Sequence, residues 1–276
     1  MKNILVKLEE TKKYLLDNIK ETPKIGLILG SGLGTLADEI ENAIIIDYRD
    51  IPNFPVSTVE GHAGQLVIGK LMDKQVVAMK GRFHYYEGYS MAEVTFPVRV
   101  MKAIGVEMLL VTNACGGLNP DLYPGALVAI SDHINMTGNN PLIGPNYSEL
   151  GPRFPDMSDA YDKDLIQLIH KVGEKIGIKV HNGVYVSISG PTYSSKAESK
   201  MFRLIGADTI GMSTVPEVIV AKHSGMKIMG ISCVTDMAIF EGTETISHEQ
   251  VMEIADKTRP KFINLIKSFI KEVSMQ

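Results

Sequence analysis

The stretch EMLLVTNACGGLNP, residues 107–120, decides the fold class of this chain. It begins with a continuous apolar run, which is typical of a strand that is buried on both faces of a parallel sheet. Gly116 and Gly117 then interrupt the run, and paired glycines favour a turn. We therefore predict a buried strand that ends at a functional turn.

Patterns on both sides of this segment predict more strands and helices. The other predicted strands are KIGLILG (24–30), AIIIDY (43–48), QLVIGKL (65–71), QVVAMK (75–80), VHNGVYVSISGP (180–191), DTIGMS (208–213) and MKIMGISCVTD (226–236). Helices are expected from about Leu5 to the break at Thr22-Pro23, over 90–105, 164–173, 197–204 and 215–223, and after the capping-box sequence 247–250.

Alternation of strands with helices implies a mostly parallel sheet that is covered by helices on both faces, which is the α/β class. No internal repeat, low-complexity tract or Gly/Ser linker divides the sequence. Residues 137–162 are rich in Gly, Pro and Asn and are predicted to form a loop. We therefore expect a single domain over residues 1–276.

Composition excludes several classes of protein. With 45% hydrophobic and 22% charged residues, the chain is neither disordered nor a disulfide scaffold. Its 28 Lys plus Arg and 32 Asp plus Glu give a formal charge of −4, which disfavours a nucleic-acid or anionic-membrane partner. Cys115 and Cys233 lack metal-site spacing and are expected to be reduced, buried thiols. The N-terminus resembles neither a signal peptide nor a membrane span, so we expect a cytoplasmic protein.

The glycine-rich sequence GSGLG, residues 30–34, follows a predicted strand. Its backbone N–H groups could cradle a phosphate, or it could be a plain tight turn. A dinucleotide site fits poorly, because Thr35 stands where a third small residue is needed. The next strand is also expected by about Ala43, which leaves no room for a crossover helix of normal length.

Arg82 and His84 follow the strand QVVAMK, two residues apart. On an extended backbone both side chains point to one side, where they could bind an oxyanion. The alternative is a solvated arginine beside a core histidine. Two other strand-to-turn junctions carry Asn113, Ser213 and Thr214, and ligand clefts of parallel sheets form at such carboxyl ends. The presence of these polar residues at other strand ends favours the anion site.

Six motifs in order resemble the trimeric class of purine nucleoside phosphorylases. They are GSGLG, EGHAG, GRFHYYEGY, VTNACGGLNP, RFPDMSDAYD and GMSTVPEVIVAKH, and they span nearly the whole chain. The resemblance implies one α/β domain with a mixed sheet folded into a distorted barrel, and a homotrimer. It also implies reversible cleavage of a purine nucleoside by phosphate, with no metal or organic cofactor.

The resemblance also assigns site residues. The implied phosphate site consists of Ser31, His62, Arg82, His84, the backbone at Ala114, and Ser213. The implied nucleoside contacts are Tyr86, Met212 and His248 at the pentose, Tyr193 beneath the base, Ser194 and Asp236 at its edge, and Phe154 from a neighbouring subunit. Arg82, His84 and Asp236 are the implied catalytic residues. Simpler interpretations remain: Met212 as core, Tyr193 as a packed aromatic residue, and His248 as the first turn of a capped helix.

Two positions depart from family members that prefer 6-oxopurines. Those members have Asn where this chain has Asp236, and Glu where it has Ser194; here the sequence GPTYSSKAES resembles the methylthioadenosine phosphorylases. An ionised Asp236 offers only acceptors, which suit the adenine amino group, and a protonated one could donate to N7. His248, in contrast, fits a 5′-hydroxyl group.

We therefore predict a purine nucleoside phosphorylase that accepts adenosine besides 6-oxopurine nucleosides. One alternative is a methylthioadenosine phosphorylase. Another is a purine-binding protein without catalytic activity, although Ser31, Arg82, His84 and Ser213 together argue for an anion site.

Overall fold

The computed structural model describes residues 3–30, 32–56, 63–239 and 247–274, without the side chain of His248. Within this part of the chain the α-helices are α1 (Ile4–Asn18), α2 (Met91–Ala103), α3 (Lys163–Lys175), α4 (Lys196–Leu204), α5 (Val215–His223) and α6 (His248–Glu272). The strands are β1 (Ile25–Leu29), β2 (Glu41–Asp47), β3 (Gln65–Leu71), β4 (Lys74–Lys80), β5 (Met108–Gly117), β6 (Leu127–Met136), β7 (Val180–Ile188), β8 (Thr209–Gly211) and β9 (Lys227–Met237).

All of these strands belong to one mixed sheet in the order β2-β3-β4-β1-β5-β8-β7-β6-β9. Strand β5 is parallel to β1 and also to β9, so β9 returns to the middle of the sheet. The strands β5, β8, β7, β6 and β9 therefore form a distorted partial ring, and β1 to β4 extend from it. The predicted mixed sheet and distorted barrel are confirmed.

Helices cover both faces of this sheet because successive strand residues point to opposite sides. In β5, Leu109 and Val111 pack in a core with α1, α2 and α5. Met108 and Leu110 pack in a second core with α3 and α6. Both cores are built from fully buried aliphatic side chains, so the sheet is a rigid platform for residues at its carboxyl edge.

Helix boundaries follow local capping chemistry. The Ser247 hydroxyl accepts a hydrogen bond from the Gln250 N–H group, and the Gln250 side-chain oxygen accepts one from the Ser247 N–H group. The predicted capping box therefore begins α6. Helix α5 has the predicted bounds. Helix α1, in contrast, ends at Asn18, before the expected break at Thr22-Pro23, because the Asn18 side chain donates to the Tyr14 carbonyl at 2.7 Å and caps the last turn.

Two more elements, a short helix and a strand, bear on the sequence predictions. Only a short 3₁₀ helix, Gly34–Glu39, joins β1 to β2, as the spacing after GSGLG required. Strand β6 was not predicted, because its second half, SDHINM, is polar and half-exposed.

Cys115 and Cys233 are buried free thiols. No helix in the described ranges combines the length and apolar character needed to cross a membrane.

Candidate active site

A cleft opens at the carboxyl edge of the sheet, where β4, β5, β8 and β9 end. Its empty volume is about 870 Å³, including the mouth. The predicted residues that line it are Arg82, His84, Tyr86, Ala114, Tyr193, Ser194, Met212, Ser213 and Asp236. Segments far apart in sequence thus meet in one cleft, as expected for ligand sites of parallel sheets.

Within the described part of the chain, four neighbours fix the guanidinium group of Arg82. Nη1 donates to Ser213 Oγ at 2.7 Å and to Thr214 Oγ1 at 3.1 Å, and Nη2 donates to the Thr112 carbonyl at 2.7 Å. On its other edge, Nε lies 3.5 Å from Oε1 of Glu217, and both side chains are almost fully buried. Arg82 is therefore a preorganised cation, not a solvated arginine.

The hydrogen bonds made by the Thr214 hydroxyl group determine which groups the Ser213 hydroxyl can donate to. Thr214 Oγ1 accepts from Arg82 and, at 2.9 Å, from Asn113 Nδ2. With both lone pairs in use, the Thr214 hydroxyl donates to Ser213 Oγ, 3.1 Å away. Ser213 Oγ then accepts from both Arg82 and Thr214, so its own proton is free for the phenol oxygen of Tyr185 or for a ligand in the cleft.

Thr214 adopts a strained backbone conformation. Its φ is +73° and its ψ is −55°, values that a β-branched residue rarely adopts. The turn is closed by the Val215 N–H group, which donates to the Ser213 carbonyl at 2.8 Å. Strain of this kind costs about 1–3 kcal/mol and clusters at functional sites. Here it presents the hydroxyl groups of Ser213 and Thr214 to Arg82.

The glycine loop approaches the same end of the cleft. A Cβ atom at Gly30 would lie 2.6 Å from the Thr112 carbonyl oxygen, so the end of β1 fits against β5 only with glycine there. Arg259 of α6 donates from Nε to the Gly32 carbonyl at 2.6 Å and anchors the loop. Ser31 lies outside the described residues.

His84 is oriented by Glu87 and by an aromatic neighbour. The Glu87 carboxylate accepts the backbone N–H of His84 at 2.7 Å and lies 3.2 Å from its Nδ1. The imidazole stacks on the ring of Tyr86, with centroids 4.7 Å apart. Arg82 and His84 both line the cleft.

Asp236 also lines the cleft, one residue before the end of β9. Burial raises the pKa of its carboxyl group, and a hydrogen bond with Thr235 opposes that rise. The Thr235 hydroxyl lies 3.0 Å from Asp236 Oδ1 and 3.2 Å from the Cys115 carbonyl. A carboxyl group in this setting holds a proton at a higher pH than it would in water.

Three other predicted contacts line the same cleft. Tyr193 is half-exposed at the mouth. The hydroxyl group of Ser194 is 2.7 Å from that of the buried Ser199 on α4, and either can donate. Met212 packs over Gly190, where a Cβ atom would lie 2.5 Å from its sulfur.

Phe154 does not line this cleft. Its side chain is 88% exposed, lies near Arg153, and borders a separate shallow cavity. His62 lies outside the described residues, as does the side chain of His248, whose backbone begins α6. No cluster of three metal-ligating side chains occurs in the described part of the chain.

Sequence reasoning missed Glu87 and Glu217. Glu87 stands three residues after His84, a spacing that allows one turn to bring the two together. Glu217 stands in the apolar helix sequence VPEVIVA, and an acidic residue that is buried in such a helix needs a cationic partner. That signal was available in the sequence.

Comparison with known proteins gives the family. The model of the phosphorylase superfamily matches residues 24–271. Purine nucleoside phosphorylase 1 of Geobacillus stearothermophilus is 57% identical over 97% of each chain. A Schistosoma mansoni purine nucleoside phosphorylase, isoform 2, solved with cytosine and ribose-1-phosphate, has a TM-score of 0.95 at 44% identity over 98% of each chain. A Schistosoma mansoni enzyme solved with adenosine has a TM-score of 0.93 at 41% identity, again over 98% of each.

The chain belongs to the phosphorylase superfamily and, within it, to the purine nucleoside phosphorylases. Its reaction is the phosphorolysis of a purine nucleoside, a pentosyl transfer. Enzymes of this family use phosphate as a co-substrate and need no cofactor. The predicted family and activity are confirmed.

Proposed function

We propose that phosphate binds at the end of the cleft formed by Arg82, His84, Ser213 and the backbone at Ala114, and that the purine binds at Asp236. The observation that carries this assignment is the position of Arg82 and Asp236 in one cleft. A fixed guanidinium group and an oriented hydroxyl suit a tetrahedral oxyanion. By the resemblance, Ser31 and His62 complete the phosphate site.

The reaction breaks the bond from the purine nitrogen to C1′ and forms a bond from a phosphate oxygen to C1′. The electron pair of the broken bond goes to the purine, while the sugar passes through an oxocarbenium-like state. Bound phosphate, held by Arg82 and His84, stabilises the cationic sugar. Asp236, whose carboxyl pKa is raised, donates its proton to N7 of the departing base. Tyr86, Met212 and His248 hold the pentose, and Tyr193 lies beneath the base.

The residues at the base site favour a wider range of purine substrates than the family members that have Asn in place of Asp236 and Glu in place of Ser194. Asp236 accepts from a 6-amino group when it is ionised and donates to N7 when it is protonated. Ser194 supplies a hydroxyl that either accepts or donates, so it suits N1 of adenine as well as N1–H of a 6-oxopurine. The adenosine complex of the Schistosoma mansoni relative supports adenosine as a ligand of this fold. We propose activity on adenosine and inosine, and weaker activity on guanosine.

We further propose a homotrimer of chains that each fold as one phosphorylase domain over residues 1–276. The exposed Phe154 supports this, because it borders the same shallow cavity as the exposed Ile143, and an exposed apolar patch of this kind marks an interaction site. In the trimer it would complete a neighbouring cleft. Two buried free thiols support a cytoplasmic location, where thiols stay reduced.

A nucleoside panel tests the function. Free base is measured from inosine, adenosine, guanosine and 5′-methylthioadenosine, each with and without phosphate. We expect phosphate-dependent release from inosine and adenosine. Release without phosphate would contradict the assignment of phosphate as the nucleophile. A preference for 5′-methylthioadenosine would instead support the methylthioadenosine phosphorylase alternative, which the sequence around Ser194 resembles.

A further inference from the structure

A second cavity lies between the start of α1, the middle of α2, the loop 141–150 and the end of α5. Its empty volume is about 640 Å³, including its mouth. It shares no lining residue with the active cleft. The two cavities adjoin opposite ends of α5, whose nine residues span about 13 Å.

Arg99 of α2 lines this cavity and is only 8% exposed. A buried guanidinium group normally pairs with a carboxylate, because removing its charge from water is costly. No Asp or Glu is among the described residues that line the cavity. The contact recorded for Arg99 in the described structure is to a histidine: Nη1 lies 3.5 Å from Nδ1 of His223.

His223 cannot neutralise that charge. The side chain is 5% exposed, and burial together with the adjacent Arg99 lowers the pKa of its imidazole, although a hydrogen bond with the Pro152 backbone opposes this. The ring is therefore neutral near pH 7. Gly151, with φ +147°, closes the loop over it, and a Cβ atom there would lie 2.7 Å from the ring carbon Cε1. The surrounding chain is thus shaped to hold this uncharged neighbour beside Arg99.

We propose that this cavity, which we call the Arg99 pocket, is a second anion site, where Arg99 binds a free oxyanion of the phosphate or carboxylate class. Its planar fork of N–H donors matches two oxygens of such an anion. Asn146 and Tyr147 also line the pocket and add hydrogen-bonding groups at the loop side. The bound anion supplies the negative charge that the protein around Arg99 lacks.

Phosphate-binding stoichiometry tests the proposal. Radiolabelled inorganic phosphate is equilibrated by dialysis with the wild-type protein and with Arg99→Gln. We expect two phosphates per wild-type chain and one per Arg99→Gln chain. Arg82→Ala should also bind one. A parallel arm with radiolabelled acetate distinguishes a carboxylate ligand, and there too Arg99→Gln should bind one equivalent less. Because the readout is a difference between two proteins, it stands even if the phosphate site of the active cleft is assigned wrongly.

Two control variants separate loss of the anion site from a general effect of charge or stability. Lys102→Gln removes a cation from the same helix outside the pocket and should bind both anions like the wild type. Arg99→Met should fold at least as stably as the wild type in anion-free buffer, because it removes an uncompensated buried charge, and should lose the anion-dependent increase in Tm. The proposal would be overturned if Arg99→Gln bound as many phosphates per chain as the wild type and also as many acetates. So would dissociation of Arg99→Gln oligomers with anion binding unchanged, since Arg99 would then pair with a carboxylate of a second copy.

Discussion

We propose that Asp236, which lines the cleft, is the residue that distinguishes the purine six-substituent. A buried carboxyl group that can hold its proton is able to serve an amino group and N7 in different ionisation states, whereas an Asn amide has a fixed donor and acceptor. Specificity at such a site is strong, because a mismatched substrate leaves buried polar groups unpaired.

Asp236→Asn is expected to shift kcat/KM from adenosine toward inosine. The Asn amide can donate to O6 or accept from N7–H, and the swing in the ratio should be roughly thirtyfold to a hundredfold, or about 2–3 kcal/mol. Steady-state kinetics on both nucleosides at saturating phosphate provide the measurement. A ratio that stays within twofold of wild type would show that Asp236 does not read the six-position.

The same variant carries a pH test. If Asp236 donates a proton, wild-type kcat/KM should fall as the pH rises through its raised pKa, because the acid form is then lost. Asp236→Asn should lack that descending limb. Identical pH profiles for the two proteins would remove Asp236 from the proton transfer.

Glu217 forms a buried ion pair with Arg82, the arginine that we propose binds phosphate. Glu217→Gln keeps its shape and an oxygen for Arg82 Nε but removes the negative charge. Breaking a buried pair costs about 3–5 kcal/mol, because the remaining charge is uncompensated. Bound phosphate restores part of that compensation, so the phosphate KM should fall by roughly threefold to tenfold, about 1 kcal/mol.

Calorimetry and kinetics check this prediction together. The phosphate-dependent rise in Tm should be larger for Glu217→Gln than for wild type, and the nucleoside KM should change little. Arg82→Ala provides the opposite reference, with a raised phosphate KM and kcat/KM lowered roughly tenfold to a thousandfold. A raised phosphate KM in Glu217→Gln would mean that orientation of Arg82 outweighs its charge balance.

At the scale of elements, the start of α5 links backbone strain to function. The turn at Thr214 contributes a hydroxyl group to Arg82 and Asn113 at the cost of a positive φ. Glycine adopts this conformation freely, so Thr214→Gly exchanges relief of strain for three lost hydrogen bonds, to Arg82, Asn113 and Ser213.

We expect Thr214→Gly to change the free energy of unfolding by less than about 1–2 kcal/mol, since relief of about 1–3 kcal/mol offsets lost bonds of similar size. The phosphate KM should nevertheless rise about tenfold, because Ser213 loses the donor that orients its proton. Thr214→Ser, which keeps the hydroxyl, should retain a phosphate KM close to that of wild type. Urea unfolding and phosphate titrations separate the two effects, and similar kinetics for both variants would contradict the role of the hydroxyl.

The elements that sequence reasoning identified are those with a strong local signal. The buried run of β5, the capping box before α6 and the bounds of α5 depend on residues within a few positions of one another. The partial ring depends on the parallel β5–β9 and antiparallel β6–β9 pairings, which join distant segments and leave no periodic pattern. The conformation of Thr214 was equally inaccessible, because neighbours such as Arg82 impose it on a residue that disfavours it.

At the scale of the whole molecule, both cysteines are protected by the cores around the sheet. Burial raises the pKa of the Cys233 thiol to about 11 and that of Cys115 well above its usual range. In the unfolded chain both thiols ionise near pH 8.5. The unfolded state therefore binds fewer protons than the native state above that pH, and stability falls as the pH rises.

Each thiol should lower the free energy of unfolding by about 1.4 kcal/mol between pH 7.5 and 9.5, because its native pKa lies above this window and its unfolded pKa lies within it. Urea unfolding of the wild type at several pH values in this range should show the fall in the free energy of unfolding. For Cys233→Ala the fall over the same range should be smaller by the contribution of one thiol, whatever the stability of the variant at pH 7.5. Buried tyrosines also lose some stability near the upper end of this range, but they are the same in both proteins, so their contribution cancels in the comparison. An equal decline in wild type and Cys233→Ala would mean that Cys233 ionises in the native state, and that the core around β9 admits water.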